Sequence, residues 1–168
     1  MEASLYLSVV IPAYNEQERL KRFAPGIVEF LLAKGRPFEI VVVNDGSKDD
    51  TAAVTRDLSK TYPMLRLIDL HPNRGKGGAV KAGMLDARGQ YVLFTDADQS
   101  TPIGEADKLL AKIEGDGYDM ALARGPCPAR RWNNRRCGIG RWRESCSASG
   151  RKCSASAAST TRNAGSRR

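Results

Sequence analysis

The sequence predicts an α/β fold built on a doubly wound, mostly parallel sheet. Within residues 1–123, short apolar runs rich in Val, Ile and Leu alternate with segments whose apolar residues recur at helical spacing. This alternation gives the order β-α-β-α-β-α-β-α-β, which a parallel sheet with helices on both faces accommodates. Polar loops follow four of the predicted strands. Because ligands in such sheets bind at the carboxyl ends of the strands, we expect one ligand-binding edge.

Five strands are predicted, at residues 5–11, 38–43, 64–70, 91–94 and 119–123. The first two are almost continuously apolar, as expected for strands that are covered on both faces. The run at 91–94 is aromatic and β-branched with a turn before it, which favours a buried central strand.

Four helices are predicted between these strands. The first follows the turn at residues 13–16, with Asn15 as its N-cap, and Pro25 should kink or restart it. The second begins at the acidic residues 49–50 and runs to about residue 60. The third is short and follows the loop 71–78, and the fourth begins near Pro102. Each helix therefore crosses between two parallel strands.

Composition divides the chain into two parts. The 168 residues carry a formal charge of +8, but residues 1–123 hold 15 basic and 18 acidic residues, a net charge of −3. Residues 124–168 hold 12 basic residues and one acidic residue, a net charge of +11. The first part is long enough for one α/β domain with a core. No run is long enough to span a membrane and no signal peptide is recognisable, so we expect a cytoplasmic protein.

Residues 124–168 lack the pattern of a packed domain. They contain no Leu, Val, Phe or Met, and we expect a disordered basic tail. The spacing of its cysteines includes no C-x-x-C pair, which argues against a zinc site: Cys127, Cys137, Cys146 and Cys153. We interpret this composition as an out-of-frame reading of a gene rich in G and C. The alternatives are a segment that contacts anionic lipid and an arm that binds nucleic acid.

Two carboxylates follow the fourth predicted strand in a D-x-D motif. Asp96 and Asp98 repel each other when both are ionised, unless a cation lies beside them. A hard divalent ion such as Mg²⁺, bound by one or two carboxylates and by substrate phosphates, removes that cost. The alternative is a pair of solvated acids that cap the helix near Pro102. The position after a buried strand favours the metal site.

The polar loops suggest a nucleotide as the ligand; they are residues 12–16, 44–47, 73–78 and 96–101. Asp45 can accept a hydrogen bond from a base, and Tyr14 can stack on a ring. The glycines after Arg74 let backbone N–H groups approach phosphates at a helix N-terminus, where Lys76 adds positive charge. That loop matches neither the Walker nor the dinucleotide motif, so a surface turn with solvated charges remains the alternative.

Four motifs carry a resemblance to a known family: VVIPAYNE (9–16), VVVNDGSKDDT (41–51), NRGKGGAVKAG (73–83) and FTDADQSTP (94–102). In this order they resemble the motifs of family-two inverting glycosyltransferases, most of all the dolichyl-phosphate β-glucosyltransferases and their bacterial polyprenyl-phosphate relatives. The resemblance spans residues 5 to about 122. It implies a GT-A fold, UDP-glucose as donor, dolichyl or another polyprenyl phosphate as acceptor, and Mg²⁺ or Mn²⁺. It also implies peripheral contact with the cytoplasmic face of a membrane and no specific nucleic acid.

The resemblance also implies site residues. It places Asp96 on the ribose and sugar side and Asp98 on the metal, which makes these two the catalytic residues. Asn44 stands where the family commonly has Asp, so we expect altered donor affinity rather than loss of the site. The nucleotide-sugar-binding residues it implies are Pro12, Tyr14, Glu16, Asn44, Asp45, Arg74, Lys76, Asp96, Ala97 and Asp98.

The acceptor and the second part of the chain decide the expected activity. A lipid phosphate is already largely anionic at neutral pH and needs no strong general base, and residues 1–123 offer no obvious one. Because the part that should place the acceptor is scrambled, we expect donor binding with transfer near background. The alternatives are a sugar-nucleotide-binding remnant without transfer activity and a nucleic-acid-binding protein with a basic tail.

Overall fold

The computed structural model describes residues 5–116, 118–123 and the strand at 159–162. Its strands are β1 (Leu7–Ala13), β2 (Phe38–Asn44), β3 (Leu65–Asp69), β4 (Tyr91–Phe94), β5 (Met120–Leu122) and β6 (Ser159–Arg162). Its helices are α1 (Gln17–Ala33), α2 (Thr51–Thr61), α3 (Gly75–Asp86) and α4 (Glu105–Asp116). The predicted order of alternating strands and helices is confirmed for residues 5–123.

The strands form one mostly parallel sheet in the order β3-β2-β1-β4-β6-β5. β1 lies between β2 and β4 and is parallel to both, and β3 is parallel to β2. Leu7 at the start of β1 lies opposite Phe38 and Tyr91, and Ala13 at its end lies opposite Asn44. The carboxyl ends of β1, β2 and β4 therefore meet at one edge, as the sequence predicts.

Strand β6 corrects one expectation. Residues 159–162 fall in the tail that was predicted to be disordered, yet they pair antiparallel with both β4 and β5. The pairing satisfies backbone groups that an unpaired edge of β4 would leave exposed. The segment STTR contains two threonines, a residue type that favours strands, but it lacks the apolar periodicity on which the prediction relied. The four cysteines and the rest of 124–168 lie outside the described residues.

Both faces of β1 and β2 are buried. Val9, Ile11 and Val42 point into the larger cluster, on the face covered by α1, α2 and α4. Val10 and Val43 alternate with them and point into a smaller cluster under α3. All five are inaccessible to solvent. This double coverage explains why β1 and β2 are continuously apolar rather than alternating.

Gly83 lets helix α3 lie close against the sheet. A Cβ atom at this position would overlap Val10 Cγ1, and it would come within 2.8 Å of Val43 Cγ2. Ala79, one turn earlier, is completely buried. The small residues on this side of α3 thus set its distance from the sheet and bring its N-terminus to the edge where the strands end.

Helix α1 differs from the prediction in two ways. It runs without interruption from Gln17 to Ala33 through Pro25, so the predicted restart is wrong; its buried face holds the turn around the proline in place. Its N-cap is Glu16 rather than Asn15. Asn15 has a positive φ of 55°, and its side-chain oxygen accepts a hydrogen bond from the Lys48 N–H at 2.8 Å. Asn15 thus joins two loops instead of capping a helix.

Candidate functional site

A cleft of about 460 Å³ opens at the carboxyl edge of the sheet. Its walls come from the loops after β1, β2 and β4 and from the first turns of α3. The lining residues are Pro12, Ala13, Tyr14, Glu16, Asp45, Asn73, Gly75, Lys76, Ala79, Asp96, Ala97 and Asp98. Eight of the ten residues that the sequence suggested for the nucleotide sugar therefore share one cleft. The two that do not line it are Asn44 and Arg74.

The Asn44 side chain is hydrogen-bonded inside the protein and does not line the cleft. It is buried, and its amide NH₂ donates to Asp69 Oδ1 at 2.7 Å. Its amide oxygen accepts from the Ser47 N–H at 3.2 Å and from the Ser47 hydroxyl at 2.5 Å. Both polar ends of the amide are thus used inside the protein. A carboxylate at position 44 would face the Asp69 carboxylate instead, which explains in physical terms why an amide suits this chain.

Asp45 ties the start of α3 to the end of β1. Its N–H donates to the Ala13 carbonyl at 2.9 Å, and its Oδ1 accepts from the Arg74 N–H at 2.7 Å. Its own carbonyl accepts from the Asn73 side-chain amide at 2.8 Å. Arg74 therefore contributes its backbone to the site, as the N-cap residue of α3. Asp45 itself is buried at the floor of the cleft.

The loops after β1 and β2 are joined by hydrogen bonds that we call the interloop clasp: Glu16 and Gln17 on one side, Asp49 and Thr51 on the other. The Glu16 N–H donates to the Thr51 hydroxyl at 2.9 Å, and the Gln17 N–H donates to Asp49 Oδ2 at 3.3 Å. Asp49 Oδ1 also accepts from the Thr51 N–H at 3.0 Å. One carboxylate therefore accepts from the first turns of both α1 and α2.

The clasp shifts the titration of Asp49 and fixes the mouth of the cleft. Burial raises the pKa of the Asp49 carboxyl, but hydrogen bonds from the Thr51 hydroxyl, the Thr51 N–H and the Gln17 N–H lower it, and the net pKa lies below its ordinary value. Tyr14, two residues before Glu16, lines the cleft and is 45% exposed. Asp49 is not among the predicted site residues; the pattern D-x-T at residues 49–51, where α2 begins, is the signal that could have found it.

The two acids of the D-x-D motif have different surroundings. Asp96 is partly buried and pairs with the Lys76 ammonium at 2.7 Å. Asp98 is exposed, and its Oδ1 accepts from the Ser100 N–H at 2.9 Å and the Ser100 hydroxyl at 2.6 Å. The Ser100 hydroxyl and N–H hold the pKa of Asp98 below its ordinary value, and the charges of Arg19 and Lys76 lower it further. Asp98 is therefore ionised at neutral pH.

The donor set at this edge fits a hard divalent cation that is shared with a ligand. Among residues 5–116 and 118–123, no three His, Cys, Asp or Glu side chains cluster in a way that could hold a metal ion without help. Asp98 offers an exposed carboxylate, and its carboxylate neighbour Asp96 lies in the same cleft. One or two carboxylates completed by phosphate oxygens are the usual protein environment of Mg²⁺.

The helices of the described residues include none that is long and apolar enough to cross a membrane. The longest, α1, has 17 residues and carries charged side chains along its exposed face.

Sequence relatives point to one enzyme family. A dolichyl-phosphate β-glucosyltransferase of Drosophila melanogaster is 47% identical over 132 residues, which are 73% of this chain and 40% of the relative. The proteins of the same name from Saccharomyces cerevisiae and Homo sapiens are 40% and 38% identical; the matches cover 71% of this chain and 38% and 40% of those proteins. The chain thus spans about two fifths of the length of the curated relatives it matches.

Solved structures agree on the fold. S. aureus TarS (residues 1–349) is 26% identical with a TM-score of 0.52, over 69% of this chain and 34% of that one. Glucosyl-3-phosphoglycerate synthase of Mycobacterium tuberculosis has a TM-score of 0.56 at 23% identity, over 71% of this chain and 43% of that one. The architecture is that of GT-A glycosyltransferases, as the motifs implied.

The family Glycosyl transferase family 2 matches residues 8–152, which include all four motifs and every cleft residue. The match covers far more than half of the chain, and the sheet and the cleft have the arrangement that its motifs imply. This chain belongs to glycosyl transferase family 2.

Proposed function

We propose that the chain binds a nucleotide sugar, UDP-glucose, together with Mg²⁺ or Mn²⁺. We further propose that the reaction it serves is transfer of glucose, with inversion, to dolichyl or another polyprenyl phosphate at the cytoplasmic face of a membrane. One observation carries the proposal: a single cleft brings together the buried Asp45, the exposed Tyr14 ring and the D-x-D acids. The names of the relatives support glucose and the lipid phosphate.

Each side chain has a role that follows from its surroundings. Tyr14 is exposed enough to stack on a base, and Asp45 is held rigidly enough to accept a hydrogen bond from one. Asp98 remains ionised at neutral pH and is oriented by Ser100, so it is suited to hold the cation. Mg²⁺ or Mn²⁺, when bound, would offset the charge that develops on the leaving diphosphate. The acceptor phosphate is itself anionic at neutral pH, so none of these residues has to act as a strong base.

Calorimetry with UDP, in the presence and absence of Mn²⁺, tests the donor site. We expect binding to weaken at least about tenfold without the metal, because the diphosphate then meets the two carboxylates unshielded. Asp98→Asn should remove most of this metal dependence while leaving the fold intact. Asp57→Asn, an exposed acid on α2, is the matched control and should behave like the unmodified chain. Equal affinity with and without metal would refute the proposed site.

Transfer is tested separately from donor binding. Labelled UDP-glucose is incubated with the purified chain and either dolichyl or undecaprenyl phosphate in vesicles. We expect transfer near background, because the composition of residues 124–168 lacks the pattern of a packed domain that could place the acceptor. Positioning two reactants accounts for roughly 7–11 kcal/mol of a barrier. Sustained turnover by the 168-residue chain would contradict this expectation and would show that residues 124–168 complete an acceptor site.

A further inference from the structure

The Lys76–Asp96 ion pair crosses the cleft. Lys76 lies in the first turn of α3, Asp96 follows β4, and their charged groups are 2.7 Å apart. The ammonium also lies 5.6 Å from the centre of the Phe94 ring. The Lys76 side chain is 59% exposed, whereas that of Asp96 is 15% exposed. The lysine therefore reaches from a solvated position to a carboxylate at the wall of the site.

The positive charge of this lysine acts on both acids of the D-x-D motif. It is in direct contact with Asp96, and its field also reaches Asp98, where the charge of Arg19 adds to it. Arg19 itself donates to both carboxylate oxygens of Glu16, at 2.7 Å, and Glu16 also lines the cleft. A divalent cation that enters the free cleft is therefore repelled by the Lys76 ammonium at the place where the two carboxylates would attract it.

We propose that Lys76 is a positioning residue that keeps free divalent cations out of the D-x-D acids until a nucleotide diphosphate supplies a second partner for its ammonium. This inference rests on the proposed function, since it takes the ligand of the cleft to be a nucleotide diphosphate. The exchange is favoured because the Lys76 ammonium is well solvated, and solvent weakens its attraction to Asp96. The diphosphate carries more negative charge than Asp96, and it would lie at the N-terminus of α3, where anions are favoured.

The consequence is thermodynamic coupling between metal and nucleotide. If the nucleotide draws Lys76 away from Asp96, metal affinity rises when nucleotide is bound. By linkage, nucleotide affinity rises by the same factor when metal is bound. Lys76 thereby couples metal binding to nucleotide binding without any movement of the strands. Removing its charge should raise the metal affinity of the free protein and weaken the coupling.

The test measures Mn²⁺ binding directly, from the loss of the EPR signal of the free ion, with and without UDP. Mn²⁺ bound to UDP in solution is measured in matched titrations without protein and subtracted. For the unmodified chain we expect weak Mn²⁺ binding that UDP strengthens at least about tenfold. Lys76→Met should bind Mn²⁺ several-fold more tightly without UDP and show a smaller enhancement by UDP. Lys76→Arg keeps the charge and should resemble the unmodified chain, as should Lys81→Met, an exposed lysine on α3 that does not line the cleft.

The outcomes separate the two proposals. If UDP fails to bind the unmodified chain in any condition, the proposed function fails. If UDP binds with metal dependence but Lys76→Met leaves Mn²⁺ affinity without UDP unchanged or lower, only the role of Lys76 is refuted. Circular dichroism confirms that the variants are folded, and Lys76→Gln repeats the removal of charge with a shorter side chain should Lys76→Met fold poorly.

Discussion

Replacing Asp49 with Asn tests the interloop clasp. The carboxylate accepts hydrogen bonds from the Thr51 N–H and hydroxyl through Oδ1 and from the Gln17 N–H through Oδ2. An asparagine keeps one acceptor oxygen and turns the other side into a donor, which cannot accept from the opposing N–H. The negative charge near the N-termini of α1 and α2 is lost at the same time. The substitution therefore weakens the start of both helices without changing the size of the side chain.

The magnitude follows from capping energetics. Losing a side-chain cap costs about 0.5–2 kcal/mol, and losing a carboxylate near a helix N-terminus costs about 0.3–1 kcal/mol. The contact with Gln17 is long, at 3.3 Å, and contributes the smaller share. We expect Asp49→Asn to lower the free energy of unfolding by about 1–2 kcal/mol at pH 7. In a small domain each kcal/mol lowers Tm by roughly 4–8 °C.

The pH dependence has a definite sign. Because the folded-state pKa of Asp49 lies below its unfolded value, its stabilising effect is complete above the unfolded pKa, about 3.9. The effect is lost as the pH falls through the lower folded pKa. The difference in stability between the unmodified chain and Asp49→Asn should therefore be constant from pH 7 to about pH 5 and shrink in more acidic solution.

Urea unfolding followed by circular dichroism at several pH values measures this difference. The same samples, titrated with UDP and Mn²⁺, should show weaker nucleotide binding by Asp49→Asn, because the clasp holds Glu16, which lines the cleft together with Tyr14. Asp57→Asn on the exposed side of α2 is the control for a loss of charge alone. A difference in stability that persists undiminished to pH 2 would show that the ionised Asp49 does not hold the two loops.

Two further substitutions test the packing of α3 and the base of the cleft. Gly83→Ala should destabilise the fold by roughly 1–3 kcal/mol, since the added methyl overlaps Val10 on the sheet. At Gly77 a Cβ meets nothing within 4 Å, so Gly77→Ala should be neutral or stabilising by up to about 1 kcal/mol. Equal effects of the two substitutions in urea unfolding would contradict the close packing. Asn44→Asp should cost about 1–3 kcal/mol at pH 7, because it replaces the 2.7 Å hydrogen bond to Asp69 with two facing carboxylates. That loss should diminish as the pH is lowered towards 5 and one carboxyl takes up a proton, so an unchanged loss between pH 7 and 5 would exclude repulsion as its cause.

Much of the fold could be predicted because local signals agreed with the tertiary structure. The apolar runs of β1 and β2 are long enough to identify strands buried on both faces, and the polar residues after them mark the ligand edge. Four ordered motifs then placed Tyr14, Asp45 and the D-x-D acids in one cleft, as the structure has them. Each of these features is contained in a few consecutive residues, so the sequence displays it directly.

The features that were missed depend on partners far apart in the chain. Nothing near Asn44 in the sequence indicates that Asp69, 25 residues later, accepts a hydrogen bond from its amide. Strand β6 pairs with β4 across more than 60 residues of sequence, and its polar composition gives no local sign of that pairing. Glu39, inside the apolar run of β2, accepts from the Ser8 hydroxyl, the Arg88 N–H and the Arg66 guanidinium. Nothing within β2 indicates where those donors come from.

Two ion pairs at opposite ends of the strands differ in burial, and the difference decides which of them a ligand can replace. At the amino end of β2, the Glu39 side chain is only 7% exposed, and removing its partner Arg66 would leave a buried carboxylate without an ion pair. At the carboxyl end of β4, the lysine of the Lys76–Asp96 pair is 59% exposed, and solvent weakens the attraction of a pair with such a solvated partner. A ligand can replace the second pair at little cost but not the first. The Glu39–Arg66 pair can therefore keep the geometry of its end of the sheet. At the other end, Lys76 can leave Asp96 and pair with a bound nucleotide.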